Sequence, residues 1–165
     1  MCHVKHLNTE KESLVNRLVE MLKRHEGLCL TAYRDHLGHW TIGYGCRITG
    51  PAWVHALDAG APFGIHEVLA DALLTAHINI ARNTARNIYP DLGTYPEARR
   101  DVIVSLAYQL GSLRLARFVK MRQAILDSDW TQAARELIDS QLHEQTPERV
   151  QELALMLETG EYIPY

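Results

Sequence analysis

The chain is short of cysteine, has no basic surplus and contains no apolar run long enough to span a bilayer. Each shortage removes a class of function. Its three cysteines, Cys2, Cys29 and Cys46, are an odd and sparse set. A disulfide-stapled scaffold needs an even and denser complement, so reduced thiols are expected. The net charge of −3 provides no footprint for nucleic acid, which wants clustered Lys and Arg. Even Leu69–Ala81 is broken by Asp71, His77 and Asn79, well short of the roughly 18 apolar residues of a membrane span. No membrane insertion is expected. The leading Met1–Asn8 carries neither an apolar core nor a small-residue cleavage site, so it does not read as a signal peptide. Synthesis and retention in a cytoplasm follow as the expectation.

What is present fits one compact unit, residues 1–165, with a real core. Apolar residues make up 47% and charged residues 22%, the balance of an ordinary globular chain. The charge is uneven. Glu97–Arg122 holds six Lys or Arg against two acids, and Asp127–Glu161 holds nine acids against two arginines. A basic strip suits an anionic polymer, although a solvated helical surface accounts for most of it.

Along the chain, residues 9–25 read as an amphipathic helix. Thr9 and Glu12 form a capping box, and Leu14, Val15, Leu18, Val19 and Leu22 recur at helical spacing. Gly27 stops it. Leu30–Tyr33 and Trp40–Tyr44 are short β-type runs joined by a glycine-containing turn, a hairpin. Thr49-Gly50-Pro51 and Gly60-Ala61-Pro62 punctuate loops with a short helix near Trp53. Ile65–Ile88 reads as one long helix closed by Pro90. Beyond the Gly93–Pro96 turn all is helical: Pro96 or Glu97 to about Leu110, shorter pieces at Ser112–Ala116 and Phe118–Leu126, then a helix capped by Asp129 from Trp130 to about Gln141. Thr146-Pro147 opens a last one, because proline at the first helical position loses no internal bond. No repeat or low-complexity tract is present. The fold class expected is α+β and mostly helical.

Residues 25–46 carry the chemistry. Glu26 ends a helical pattern just before Gly27, Asp35 follows nine residues on beside a turn, and Thr41 lies six further in an apolar strand. Two acids and a hydroxyl at one cleft mouth are what glycosidic cleavage requires. One carboxyl protonates the leaving oxygen, and the other supports the oxocarbenium-like transition state or the attacking water.

Glu26-Gly27-Leu28, Ala32-Tyr33-Arg34-Asp35, Gly38 and Thr41-Ile42-Gly43-Tyr44-Gly45 resemble the active-site segment of phage-type lysozymes, the muramidases that include many phage endolysins. Tyr108-Gln109-Leu110-Gly111, Trp130-x-x-Ala133-Ala134, Gln145-Thr146-Pro147-x-Arg149 and Thr159-Gly160 resemble later parts of that family, so about residues 12–161 are covered. The resemblance implies a lysozyme-like fold: a small N-terminal lobe with the hairpin sheet (1–64), a connecting helix (65–90) and a helical C-terminal lobe (91–165), with a polymer cleft between lobes. It further implies Glu26 as general acid, Asp35 stabilising charge or positioning water, and Thr41 holding that water opposite Asp35. Arg149 would pair with Glu26, and Tyr108 and Gln109 would line the sugar cleft. Bacterial peptidoglycan is the implied partner, with no cofactor, no metal and a monomeric enzyme. The setting implied is host cytoplasm until holin-dependent release. Two positions depart from the family. Its usual histidine after Gly-x-Gly is Cys46, and the acidic partner's position on the connecting helix is His77.

Bland readings stand beside these. Glu26 alone is a last-turn glutamate, mildly unfavourable at a helix carboxyl end. An Asp such as Asp35 usually bonds its own turn, and a strand threonine such as Thr41 means little by itself. Arg149 alone is an exposed arginine near a helix start. His25, Cys29, His36, His39 and Cys46 fall within 22 residues at gaps that resemble zinc spacing. Without a Cys-x-x-Cys or a second matched pair, metal binding is the weaker reading; Cys2, His3 and His6 offer only adventitious chelation. A rival of another class is a non-catalytic wall-binding module on the same fold. Such a module has no reason to keep Glu26, Asp35 and Thr41 together.

Overall fold

The computed structural model describes residues 17–35 and 37–164. The capping box at Thr9 and Glu12, the Cys2, His3 and His6 set and His36 lie outside the described residues. The chain forms two compact units, Met1–His77 and Ile78–Tyr165.

In the first unit, helix α1 is described over residues 17–26. Leu18, Met21 and Leu22 form its buried stripe, at the three- and four-residue spacing of one helical face. The Gly27 amide closes it on the Lys23 carbonyl, 3.0 Å away. Three antiparallel strands follow in the order β1, Cys29–Arg34; β2, Trp40–Gly43; and β3, Cys46–Arg47. The expected hairpin is present, with Arg34 opposite Trp40 and Tyr33 opposite Thr41. Strand β3 was not expected; it pairs Cys46 with Ile42 and Arg47 with Thr41. The short helix near Trp53 is α2, Pro51–Asp58, with its proline in the first turn. Asp58 ties it to the hairpin by accepting from Trp40 Nε1 at 2.7 Å and from the Arg34 guanidinium. That guanidinium also lies 4.7 Å from the Trp40 ring centroid. Lys23 bonds Asp71 at 2.8 Å, which fastens α1 to the next helix.

That next helix, α3, is Glu67–Ile88, two residues shorter at its start than the Ile65 expected. The boundary between the units falls inside it. The second unit continues with a 3-10 turn at Leu92–Thr94 and then helices α4, Glu97–Leu115; α5, Val119–Leu126; α6, Trp130–Ile138; α7, Gln141–Gln145; and α8, Pro147–Thr159. Its core holds Ile103, Leu106, Met121, Ile125, Leu137 and Leu153, none with more than 1% exposure. Gly111 interrupts α4 with φ 69 and ψ 177, where the sequence places its stop. Asp129 caps α6 as expected, accepting the Gln132 amide at 2.9 Å.

One expectation fails here. The helix from Trp130 to Gln141 ends at Ile138, and α7 is separate. Ser140 has an extended backbone, and its hydroxyl donates to the Leu137 carbonyl at 2.6 Å. Serine competes in this way for carbonyls that a continuing helix would use. At the end of α8, Arg99 donates Nε to the Leu157 carbonyl and Nη2 to the Glu158 carbonyl, both at 2.8 Å. Its guanidinium stacks 4.4 Å over Trp130. No single helix among the described residues is long and apolar enough to cross a membrane.

Candidate active site

Glu26 is the last residue of α1 and is half-buried. Its Oε2 lies 3.3 Å from where a Cβ on Gly45 would stand, and Gly45 has φ +76. The bare glycine backbone therefore forms the floor under this carboxyl, and any side chain at 45 would press on it. A helix carboxyl end is an unfavourable place for an anion. The sequence keeps an acid there nonetheless.

Asp35 leaves β1 into the turn. Its Oδ1 accepts the Leu37 amide at 2.9 Å and the His39 amide at 2.8 Å. Its own amide and carbonyl close the turn with the His39 carbonyl and the Gly38 amide, each at 2.9 Å. The turn-forming reading of this aspartate is therefore correct for Oδ1. The two amide donors also fix the plane of the carboxylate, through bonds that are charge-assisted.

Thr41 is 3% exposed on the central strand, and its hydroxyl donates to the His39 carbonyl at 3.1 Å. A hydroxyl has one proton to give and lone pairs to accept with. Toward any further partner Thr41 is thus an acceptor. Opposite it stands Tyr33, whose phenol is pushed above its ordinary value, first by burial and then by the negative charges of Cys29, Glu26 and Asp35. Tyr33 lies within electrostatic reach of both acids and in register with the threonine. Asp35 Oδ1 accepts the His39 amide just before the strand of Thr41, and Glu26 Oε2 lies against Gly45 just after it. Sequence reasoning quoted Tyr33 without a role. The signal was available, because a hairpin symmetric about Leu37 pairs Tyr33 with Thr41.

The two departures meet. Cys46 Sγ is 3.8 Å from His77 Nε2, and burial pushes the thiol above its ordinary value. A thiol against an imidazole occupies the positions where the resemblance implies an ion pair. Cys29 Sγ donates to the Thr31 carbonyl at 3.1 Å, and His39 Nδ1 accepts from Arg47 Nη2 at 2.9 Å. Among the described residues no three His, Cys, Asp or Glu side chains form a metal-binding group.

Tyr108, Gln109 and Arg149 belong to the second unit. Tyr108 and Gln109 are half-buried on α4 just before the Gly111 break. Arg149, in the first turn of α8, is buried rather than exposed, and its Nη2 donates to the fully buried Ser105 hydroxyl at 3.3 Å. The same helix face holds an acid that sequence reasoning missed. Asp101 is 6% exposed and accepts from the Tyr162 hydroxyl. Burial pushes its carboxyl up to about 6, against the lowering effect of that bond; Glu97 raises it further, and Arg100 and Arg82 lower it. An acid set among Ala98, Val102 and Ser105 was the signal.

The phage lysozyme family model matches residues 23–153. Two curated relatives from Dictyostelium discoideum bear the names probable T4-type lysozyme 2 and probable T4-type lysozyme 1. The first is 27% identical over 89% of this chain and 96% of its own length; the second is 28% identical over the same shares. The pre-baseplate central spike protein Gp5 of Enterobacteria phage T4 is 26% identical over 90% of this chain, which matches 28% of that protein.

Proposed function

Because the chain belongs to the phage lysozyme family, we propose that it is a muramidase hydrolysing the β-1,4 bond between N-acetylmuramic acid and N-acetylglucosamine in bacterial peptidoglycan. The observation that carries this reading is that one short strand links the three residues: Thr41 lies on β2, Asp35 Oδ1 accepts the His39 amide just before it, and Glu26 Oε2 lies against Gly45 just after it. In the proposed reaction Glu26 gives its proton to the glycosidic oxygen as the bond to the sugar carbon breaks. A water accepted by the Thr41 oxygen attacks that carbon, and its proton passes to Asp35. The bond that Thr41 donates to the His39 carbonyl supports this role, since it turns the hydroxyl lone pairs toward the water. Water attack without a covalent intermediate gives inversion.

Tyr108, Gln109 and Arg149 remain in the proposal with the roles that the family resemblance assigns. The setting we propose is phage lysis, with the enzyme held in host cytoplasm until a holin opens the membrane. The decisive test is turbidity loss of outer-membrane-permeabilised Gram-negative cells, comparing the protein with Glu26→Gln. The amide keeps the shape but has no proton for the leaving oxygen. Removing general acid catalysis should lower lysis by about 10²–10⁴-fold, with an unchanged circular dichroism spectrum. Activity within tenfold of the parent would sink the assignment.

A further inference from the structure

The sheet carries two arginines in contrasting environments. Arg34 is committed to Asp58 and to the Trp40 ring. Arg47 is exposed on the edge strand β3 and stands directly opposite Thr41. Directly opposed residues of an antiparallel pair project from the same face, with Cβ atoms about 4.5–5.5 Å apart. Tyr33, Thr41 and Arg47 therefore form one row across the three strands. The row begins at the Tyr33 phenol and ends at a cation.

The contact of Arg47 is unusual for a surface arginine. Its Nη2 donates to His39 Nδ1 at 2.9 Å. A guanidinium can only donate, so the ring nitrogen is the acceptor of this bond. The guanidinium keeps its full charge. One of its five N–H donors is held by the ring, which sets the plane of the fork. His39 is itself anchored, with its amide on Asp35 Oδ1 and its carbonyl on the Thr41 hydroxyl. One histidine thus links two of the proposed catalytic side chains, Asp35 and Thr41, to a pre-oriented cation.

Resting on the muramidase reading, we propose that Arg47 binds a carboxylate of the wall polymer and sets the preference of the site for charged over neutral glycan. A planar fork beside the scissile position matches a carboxylate through two parallel bonds. Peptidoglycan offers carboxylates from two sources, the stem peptide and the lactyl group once its peptide is removed. The chemistry recognised is the same.

The test measures kcat/KM on three soluble substrates. These are native wall fragments, the same fragments with carboxyls converted to amides by carbodiimide and ammonia, and glycan strands stripped of peptide by an amidase. The parent should lose about tenfold on amidation, the magnitude of one charge-assisted bond at a wet site. Arg47→Gln should lose that factor on native fragments and almost nothing more on amidated ones. Arg47→Lys, which keeps charge without the fork, should fall between. A penalty that appears only on stripped glycan identifies the lactyl carboxylate, and one present on native fragments that vanishes on stripped glycan identifies the stem peptide. Equal penalties for Arg47→Gln on native fragments, amidated fragments and stripped glycan would overturn the proposal. A parent protein that cleaves none of the three would instead refute the muramidase reading. Retention on native against amidated sacculi, with and without Arg47→Gln, then tests Arg47 by itself: native-selective retention lost in the variant supports it, and equal retention refutes it.

Discussion

Replacing Arg99 with alanine should be among the most destabilising changes outside the apolar core. Arg99 lies in the first turn of α4, yet it holds the far end of α8 through two carbonyls, Leu157 and Glu158, at 2.8 Å each. These belong to the last turn of a helix, where carbonyls have no internal partner and the dipole favours a cation. A hydrogen bond from a charged donor contributes about 1.5–3 kcal/mol, and the stack on Trp130 at 4.4 Å adds about 0.5–1 kcal/mol. Contributions through one side chain do not simply add, so Arg99→Ala should cost about 3 kcal/mol. For a chain of this size that lowers Tm by about 6–12 °C. In urea the midpoint should fall with an unchanged slope. Arg99→Lys keeps the charge without the fork and should recover less than half of the loss. The reasoning is refuted if Arg99→Ala stays within about 0.5 kcal/mol of the parent, the range of an ordinary surface change.

Asp101 gives a pH dependence of definite sign. Its carboxyl is raised from 3.8 to about 6 in the folded protein, so the folded state holds the proton more tightly. Its contribution is full below pH 3.8 and is lost as pH rises through about 6. Asp101→Asn should therefore gain about 2–3 kcal/mol relative to the parent between pH 4 and 7, and denaturant melts showing a constant difference across that window would refute it. Thr41→Ala should lower wall lysis about a hundredfold by freeing the water. Thr41→Glu should place a nucleophilic carboxylate there and trap a covalent sugar adduct; mass spectrometry without an adduct, together with a fully active Thr41→Ala, would argue against the placement.

Much of this was legible because local chemistry and periodicity agree. Gly27 stops α1, the turn centred on Leu37 sets the hairpin register, and Gly111 breaks α4 where a stop was read. Strand β3 was not legible, since two residues after a turn carry no alternation; Cys46 and Arg47 become a strand only by pairing with Ile42 and Thr41. The Ser140 break was hidden because nothing in Ile138–Gln141 forbids a helix, and the outcome rests on one hydroxyl reaching Leu137. The two acids and the threonine were visible as spacing, but the place of Tyr33 opposite Thr41 required the strand pairing. The burial of Arg149 against Ser105 joins residues 44 apart in sequence, beyond the reach of any local pattern.

The break at Gly111 bears on which sequences this fold tolerates. Its φ of 69 with ψ of 177 is a conformation held almost exclusively by glycine, at a strain of about 1–3 kcal/mol for other residues. A Cβ built there meets nothing within 4 Å. For alanine the penalty therefore comes from the backbone alone. Alanine should carry this backbone penalty in full, and no enlargement of the surroundings relieves it. Every non-glycine residue meets at least this barrier, and repacking at neighbouring core positions does not lower a cost set by the backbone.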